Sequence, residues 1–267
     1  RALSSIDMAP TPKQDILTEL QEFFGPETDE WCYENGAPYR KGYMLYGPPG
    51  TGKSSLCMAI ASEFHLPVHY FHLADMNDSN FHDKFQELPK KCIVLFEEID
   101  TARIVRESTM KAEPEVSTSD RDSDSETESP SGKPRRSQIT LGGFLNVIDG
   151  PGAKEGRLVI FTTNSPNSLD EAFVRPGRID RRIFLSRSSK LVASITFSRI
   201  FGTDPHLKGK FRKQDIDRMA KQFGELIPNN TFTACEVQQF CMSRRGKPQQ
   251  ATKEVAQWVK DKLSGAQ

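Results

Sequence analysis

The sequence predicts an α/β fold, a parallel five-stranded sheet with flanking helices, followed by a small all-helical unit. Three observations carry this prediction. Short apolar runs alternate with apolar stripes at helical spacing as far as about residue 187. A glycine-rich octapeptide lies between one such run and one such stripe. From about Ser188 the strand-like runs stop and only helical patterns remain.

Residues 1–40 read as a lead-in, with a short helix over Asp15–Phe24 that carries Ile16, Leu17, Leu20, Phe23 and Phe24 on one side. Tyr43–Tyr46 is an apolar run that ends in Gly and Pro. Over Lys53–Phe64, the residues Leu56, Ala59, Ile60 and Phe64 recur at helical spacing. Pro67–Leu73 reads as a strand and Phe81–Leu88 as a helix. Cys92–Phe96 and Leu158–Thr162 are continuous apolar runs, the pattern of strands covered on both faces. Leu141, Phe144, Leu145 and Ile148 form another helical stripe, and Ile183–Leu185 a short fifth strand. Strands alternating with helices imply parallel pairing. Residues 41–187 are therefore expected to form one large domain. Residues 188–267, with helical patterns over Lys190–Ile200, Gln214–Phe223, Thr233–Arg244 and Ala251–Leu263, are expected to form a second, smaller one.

Residues 101–137 break the rhythm. They hold a Ser- and acid-rich stretch at 117–129 and few large apolar residues, so they are expected to be a disordered insertion, a solvated tether whose serines are candidate phosphorylation sites. The chain as a whole is balanced, with 36 Lys plus Arg against 36 Asp plus Glu, which gives no global field for nucleic acid. Five cysteines, Cys32, Cys57, Cys92, Cys235 and Cys241, have no CxxC spacing and point to a reducing compartment. Mean hydropathy is −0.57. No run approaches the ~20 apolar residues of a membrane helix, no signal peptide is visible, and the sequence starts at Arg1 rather than Met, as a fragment would. The module itself is expected to be soluble.

The octapeptide Gly47-Pro48-Pro49-Gly50-Thr51-Gly52-Lys53-Ser54 matches GxxxxGK[ST] in full, with a strand running in and a helix running out. Its glycines let backbone N–H groups approach phosphate oxygens, and the following helix presents its positive end to the same anion. Lys53 is expected to reach the β- and γ-phosphates of ATP, Ser54 to ligate Mg²⁺, and Ser55 to lie beside them. Glu97 and Glu98 close the apolar run Cys92–Phe96, at the edge of a parallel sheet where ligands bind. One acid would hold Mg²⁺ and the other would polarise the attacking water. Asp100 is either a third member of this cluster or the start of the insertion.

With these motifs in place, Leu158–Asn164 resembles the sensor strand of AAA ATPases, and Leu169–Asp180, with its Arg175-Pro176-Gly177-Arg178, resembles their second region of homology. The resemblance implies a P-loop NTPase AAA fold with a helical lid. Segments Arg1–Ile6, Tyr39–Tyr46 and Leu141–Gly150 narrow it to the mitochondrial complex III assembly ATPase family, translocases of the folded Rieske iron–sulfur protein, and among them to the fungal paralogues. The resemblance implies that Asn164 orients the lytic water, and that Arg175 and Arg178 reach the nucleotide of a neighbouring subunit. It also makes Glu97 the metal-side acid and Glu98 the water-activating one. By resemblance the chain assembles as a homo-oligomeric ring of six or seven, acts on a protein cargo rather than nucleic acid, and sits at the mitochondrial inner membrane through a segment outside this chain. Two departures stand out. Glu97-Glu98 replaces the usual Asp-Glu, which leaves open a nucleotide-gated scaffold with little hydrolysis. Asp75–Ser79 lacks the aromatic and Gly of a chain-gripping pore loop. A DNA-directed AAA protein is the further alternative, opposed by the balanced charge. Thr233–Gln238 sits at the second-sensor position without an Arg and is expected to carry no catalytic role.

Overall fold

The computed structural model describes residues 2–102, 104 and 139–265. The predicted insertion over 101–137 therefore lies outside the described residues, apart from Thr101, Ala102 and Ile104.

The chain enters through two helices, α1 (Pro10–Phe23) and α2 (Thr28–Glu34). Helix α1 starts five residues before the expected Asp15, because Pro10 fits the first turn, where a missing N–H costs no helical hydrogen bond. Helix α2 was not expected. It is only seven residues long, and its Trp31 and Tyr33 face solvent while Cys32 is buried, so it shows no apolar stripe.

Five strands follow, interleaved with helices: β1 (Lys41–Tyr46), α3 (Lys53–Glu63), β2 (Val68–Phe71), α4 (Asp78–Glu87), β3 (Ile93–Phe96), α5 (Leu141–Asp149), β4 (Leu158–Thr163) and β5 (Arg181–Phe184). They pair in parallel in the order β2-β3-β4-β1-β5. The period of two in the strands sends alternate residues to opposite faces. Tyr43, Leu45, Ile93, Leu95, Leu158 and Ile160 join α1 and α3 in one core. Met44, Val94, Phe96, Val159 and Phe161 join α4 and α5 in the other. This second core is dense in phenylalanine: Phe81 stacks on Phe144 at 5.1 Å and Phe96 on Phe161 at 5.3 Å between ring centroids. Each buried ring contributes about 1.5–3 kcal/mol relative to exposure. Because both faces are covered, β3 and β4 read as unbroken apolar runs.

Helices α6 (Lys190–Gly202), α7 (Lys213–Leu226), α8 (Ala234–Met242) and α9 (Pro248–Leu263) enclose a third core around Phe197, Phe223, Phe240 and Val255. Helix α9 begins three residues before the expected Ala251, again with Pro at its first position. Ser188, where the chain enters this helical unit, is tied to the segment between α7 and α8: its N–H donates to Phe232 O at 2.7 Å and its carbonyl accepts from Asn230 N at 3.0 Å.

Segment 75–79, where the sequence lacks a pore-loop pattern, forms the entry to α4. Asn77 caps it, and the Asp78 carboxylate accepts from Thr140 N and Oγ1 at 2.8 and 2.9 Å, so the N-termini of α4 and α5 are tied together. Among the described residues no helix is long and apolar enough to cross a membrane.

Candidate active site

The carboxyl ends of β3, β4 and β1 lie side by side, so whatever follows each strand meets at one edge. After β1 the chain turns through Gly47, Gly50 and Gly52 at φ 141°, 77° and 99°, conformations that residues with a Cβ rarely adopt. A Cβ on Gly47 would stand 2.2 Å from Leu185 O, so the loop closes tightly on the exit of β5. Thr51 Oγ1 donates to Pro48 O at 2.9 Å and steadies the turn.

Lys53 opens α3 and is only 9% exposed. Its Nζ donates to Gly47 O at 2.8 Å, Pro48 O at 3.0 Å and Asn164 Oδ1 at 2.7 Å. Burial lowers the Lys53 pKa below the ordinary lysine value, and the charges of Asp100 and Glu98 oppose this. A cation at a helix N-terminus also meets the positive end of the helix dipole. Loop and helix start thus present a cation and backbone donors where the glycines leave room for a close-approaching anion. That donor set fits a polyphosphate. Ser54 is exposed and Ser55 half-buried on the first turn beyond.

The acids after β3 divide. Glu98 is exposed at φ 48°, a left-handed conformation uncommon outside glycine. Its N–H donates to Thr162 Oγ1 at 3.0 Å, and its carbonyl accepts from Thr101 N at 2.8 Å. Asp100 Oδ1 accepts from Asn164 N at 3.4 Å. Glu97 is half-buried and turned toward β2 and α3. Burial and its charge push the Cys57 thiol up to about 12, and burial and its charge also raise the Tyr70 phenol above its ordinary value. Lys53, Asn164, Glu98 and Asp100 therefore form one cluster, with Glu97 on its β2 side. Oxygen donors on Ser54 and these acids are the hard ligands that Mg²⁺ takes.

Arg175 and Arg178 lie elsewhere. Arg178 is held inside its own chain, Nε donating to Asp149 Oδ2 at 2.6 Å and Nη1 to Ala172 O at 2.7 Å. Arg175 is exposed and has no ion pair among the described residues. The loop between them packs on β1: a Cβ on Gly42 would fall 1.7 Å from Arg178 O, and Asp180 accepts from Gly42 N and Gly177 N, each at 2.8 Å.

Residues 43–187 match the model of the ATPase family associated with various cellular activities (AAA), more than half of the chain. The chain belongs to the AAA family. Over 97% of its length it is 30% identical to the probable mitochondrial chaperone BCS1-B of Dictyostelium discoideum, and over 98% it is 31% identical to the mitochondrial chaperone BCS1 of Danio rerio. Human mitochondrial chaperone BCS1 is 30% identical over 93% of the chain. The chain spans about half the length of these relatives, 56%, 56% and 53% respectively.

Two features of this AAA site escaped the sequence. Helix α8, given no role, sets its first turn on the phosphate loop: Cys235 N donates to Gly50 O at 3.3 Å, and Thr233 lies against Gly50. The Thr233-x-x-Glu236 pattern signals a capping box, which the structure contains, but a local motif cannot say what the helix end touches. Second, a cavity of about 310 Å³ beside the loop is bounded by Asp7, Thr51, Ser188, Val192 and Ala234, so the lead-in and the helical unit both wall it. Ser188 Oγ is buried there without a hydrogen-bond partner among the described residues.

Proposed function

We propose that this AAA chain binds Mg-ATP at residues 47–55 and hydrolyses it, as part of a homo-oligomeric ring that remodels or translocates a protein. Residues 41–187 act as the ATPase domain and 188–267 as its lid. The observation that supports this best is the Lys53 ammonium. It is buried, lowered in pKa and hydrogen-bonded to Asn164 from the neighbouring strand, with Glu98 and Asp100 beside it. An incoming γ-phosphate satisfies a cation that now rests on neutral oxygens. Gly47–Gly52 cradle the phosphates, and Ser54 with Glu97 holds Mg²⁺, whose chemistry is to neutralise charge building on the phosphate oxygens. Glu98 takes the proton of the attacking water, and Asn164 orients that water. Arg175, exposed and unpaired among the described residues, is the arginine offered to a neighbour's nucleotide. Arg178 acts beside it, once released from Asp149 or by holding the loop that presents Arg175. The likeness to mitochondrial BCS1 chaperones supports a mitochondrial, protein-directed role.

The test is Glu98→Gln in the purified chain. Turnover is expected to fall at least ~100-fold while Mg-ATP still binds, since general-base help is worth about 10²–10⁴-fold. Unchanged turnover removes Glu98 from the base role. Turnover near zero in the unsubstituted chain as well would favour the nucleotide-gated scaffold that the Glu97-Glu98 pair leaves open.

A further inference from the structure

The Asp7 side chain is 4% exposed and that of Arg199 21%, and the two form a bidentate pair. Arg199 Nε donates to Asp7 Oδ1 and Nη2 to Asp7 Oδ2, both at 2.7 Å. They stand 192 residues apart, one on the lead-in and the other near the end of α6. Lys13 Nζ donates to Ile6 O at 3.0 Å and fixes the backbone just before Asp7. The hydrogen bonds that Arg199 donates to Asp7 raise its pKa against the opposing effect of burial, so the guanidinium stays charged. The Lys13 ammonium also faces both charges, attracted by Asp7 and repelled by Arg199, and a largely buried fork of this kind is costly to break on one side.

The location gives the pair a role. Asp7 lines the cavity beside Thr51 of the phosphate loop. Arg199 lines the separate groove between α6 and α7. The pair therefore stands between the two openings and joins the two walls of the loop-side cavity, lead-in and lid, that come from opposite ends of the chain. Ser188 and Val192 reach the same cavity from the lid side.

We propose that Asp7 and Arg199 are positioning residues, a clamp that makes the lead-in follow the lid and thereby sets how tightly nucleotide is held. This rests on the nucleotide assignment above. Among the described residues neither side chain makes a hydrogen bond or ion pair with the phosphate loop. The clamp acts by holding Asp7–Ala9 against the cavity when α6 is in place, so its loss loosens the cavity and leaves the cluster of Lys53, Asn164 and Glu98 intact.

The experiment compares Asp7→Asn, Arg199→Met, Arg199→Lys and the double variant Asp7→Asn/Arg199→Met. Affinity is measured by titration with a fluorescent non-hydrolysable ATP analogue, turnover by steady-state kinetics, and folding by thermal melts without nucleotide. Either single removal is expected to raise Kd and KM about tenfold, with kcat within about twofold, by analogy with the cost of truncating one partner of a buried charge pair. The double variant should be no worse than the worse single, because both remove one interaction. Arg199→Lys, which keeps charge but loses the fork, should lie between. Wild-type affinity in both single variants, additive losses in the double, or a fall in kcat with Kd unchanged overturns the clamp. If the single variants fail to fold, Arg199→Lys decides by the same criteria. Failure of the unsubstituted chain to bind the analogue sinks the nucleotide assignment itself. Binding that is lost in Lys53→Ala but normal in the Asp7 and Arg199 variants sinks only the clamp.

Discussion

Strand β4 begins just after one buried cation and ends beside another, and the two are handled differently. Arg157, immediately before β4, is 1% exposed. It donates to Phe85 O at 2.9 Å, Leu88 O at 2.6 Å and Pro89 O at 3.2 Å, with its guanidinium 4.9 Å from the Phe85 ring centre. Those carbonyls close the C-terminal end of α4, the negative end of a helix, where a cation is favoured. At the other end, Asn164 contacts Lys53, which also sits on carbonyls but at a helix start, where a cation is disfavoured. Burial lowers the pKa of both. Arg157 has its compensation inside the fold and is structural. Lys53 has the charges of Asp100 and Glu98 nearby, but its three hydrogen bonds go to neutral oxygens at a helix start, and a phosphate would bond it directly. A buried cation on carbonyls at a helix end holds the chain together; one at a helix start, beside carboxylates in a glycine-lined loop, marks a place for a ligand.

The largest expected effect is on ligand affinity. Lys53→Ala should weaken ATP binding by about 100- to 1,000-fold, on the order of 3–4 kcal/mol, with little loss of melting temperature. Isothermal titration and a thermal melt on the same sample check both halves. A variant that binds normally but unfolds would make Lys53 a second Arg157.

Arg157→Leu should do the reverse. It removes the donor of Leu88 O and leaves Phe85 O and Pro89 O with only long bonds from Leu88 N and Cys92 Sγ, each 3.4 Å, and should cost about 2–4 kcal/mol in urea unfolding. If it folds at low temperature, its affinity for ATP should stay within about twofold of wild type, since the sheet edge that carries the loop is the opposite one. Asn164→Ala should lower kcat about tenfold and stability by less than about 1 kcal/mol, separating the two ends of β4 by kinetics alone.

A smaller effect should appear in pH dependence without nucleotide. Because the folded Lys53 pKa lies below the unfolded value of ~10.4, the unfolded chain binds more protons between those two values. The buried charge therefore costs stability at neutral pH, and that cost is relieved as pH rises toward ~10. A Lys53→Met variant lacks the cost, so its advantage in melting temperature over wild type should shrink between pH 7 and ~10. An advantage that grows with pH would reverse the sign assigned to Lys53. Least of all, Thr162→Val removes the acceptor of Glu98 N and should cost about 1–2 kcal/mol in unfolding.

Much of this was legible in the sequence because it depends on neighbours along the chain. All five strands and their parallel pairing followed from apolar runs alternating with helical stripes, and the phosphate loop from eight consecutive residues between a strand and a helix. Helix α2 was illegible because its exposed Trp31 and Tyr33 give no periodic stripe. Asp100 could not be told from the start of an insertion until its carboxylate was found at Asn164 N, across two strands. Arg178 looked equivalent to Arg175 until Asp149 was found holding it.

The sequence by itself determined the α/β class, the five strands and the helices between them, the loop at Gly47–Ser54 and the acids that follow β3. These are set by periodicity and backbone sterics, both local. Only the tertiary structure decided which buried cation is compensated, that the first turn of α8 rests on Gly50, and that Asp7 reaches Arg199. Each of these pairs residues dozens to nearly two hundred positions apart. Whether a charge is satisfied depends on what surrounds it in space, and composition along the chain does not contain that.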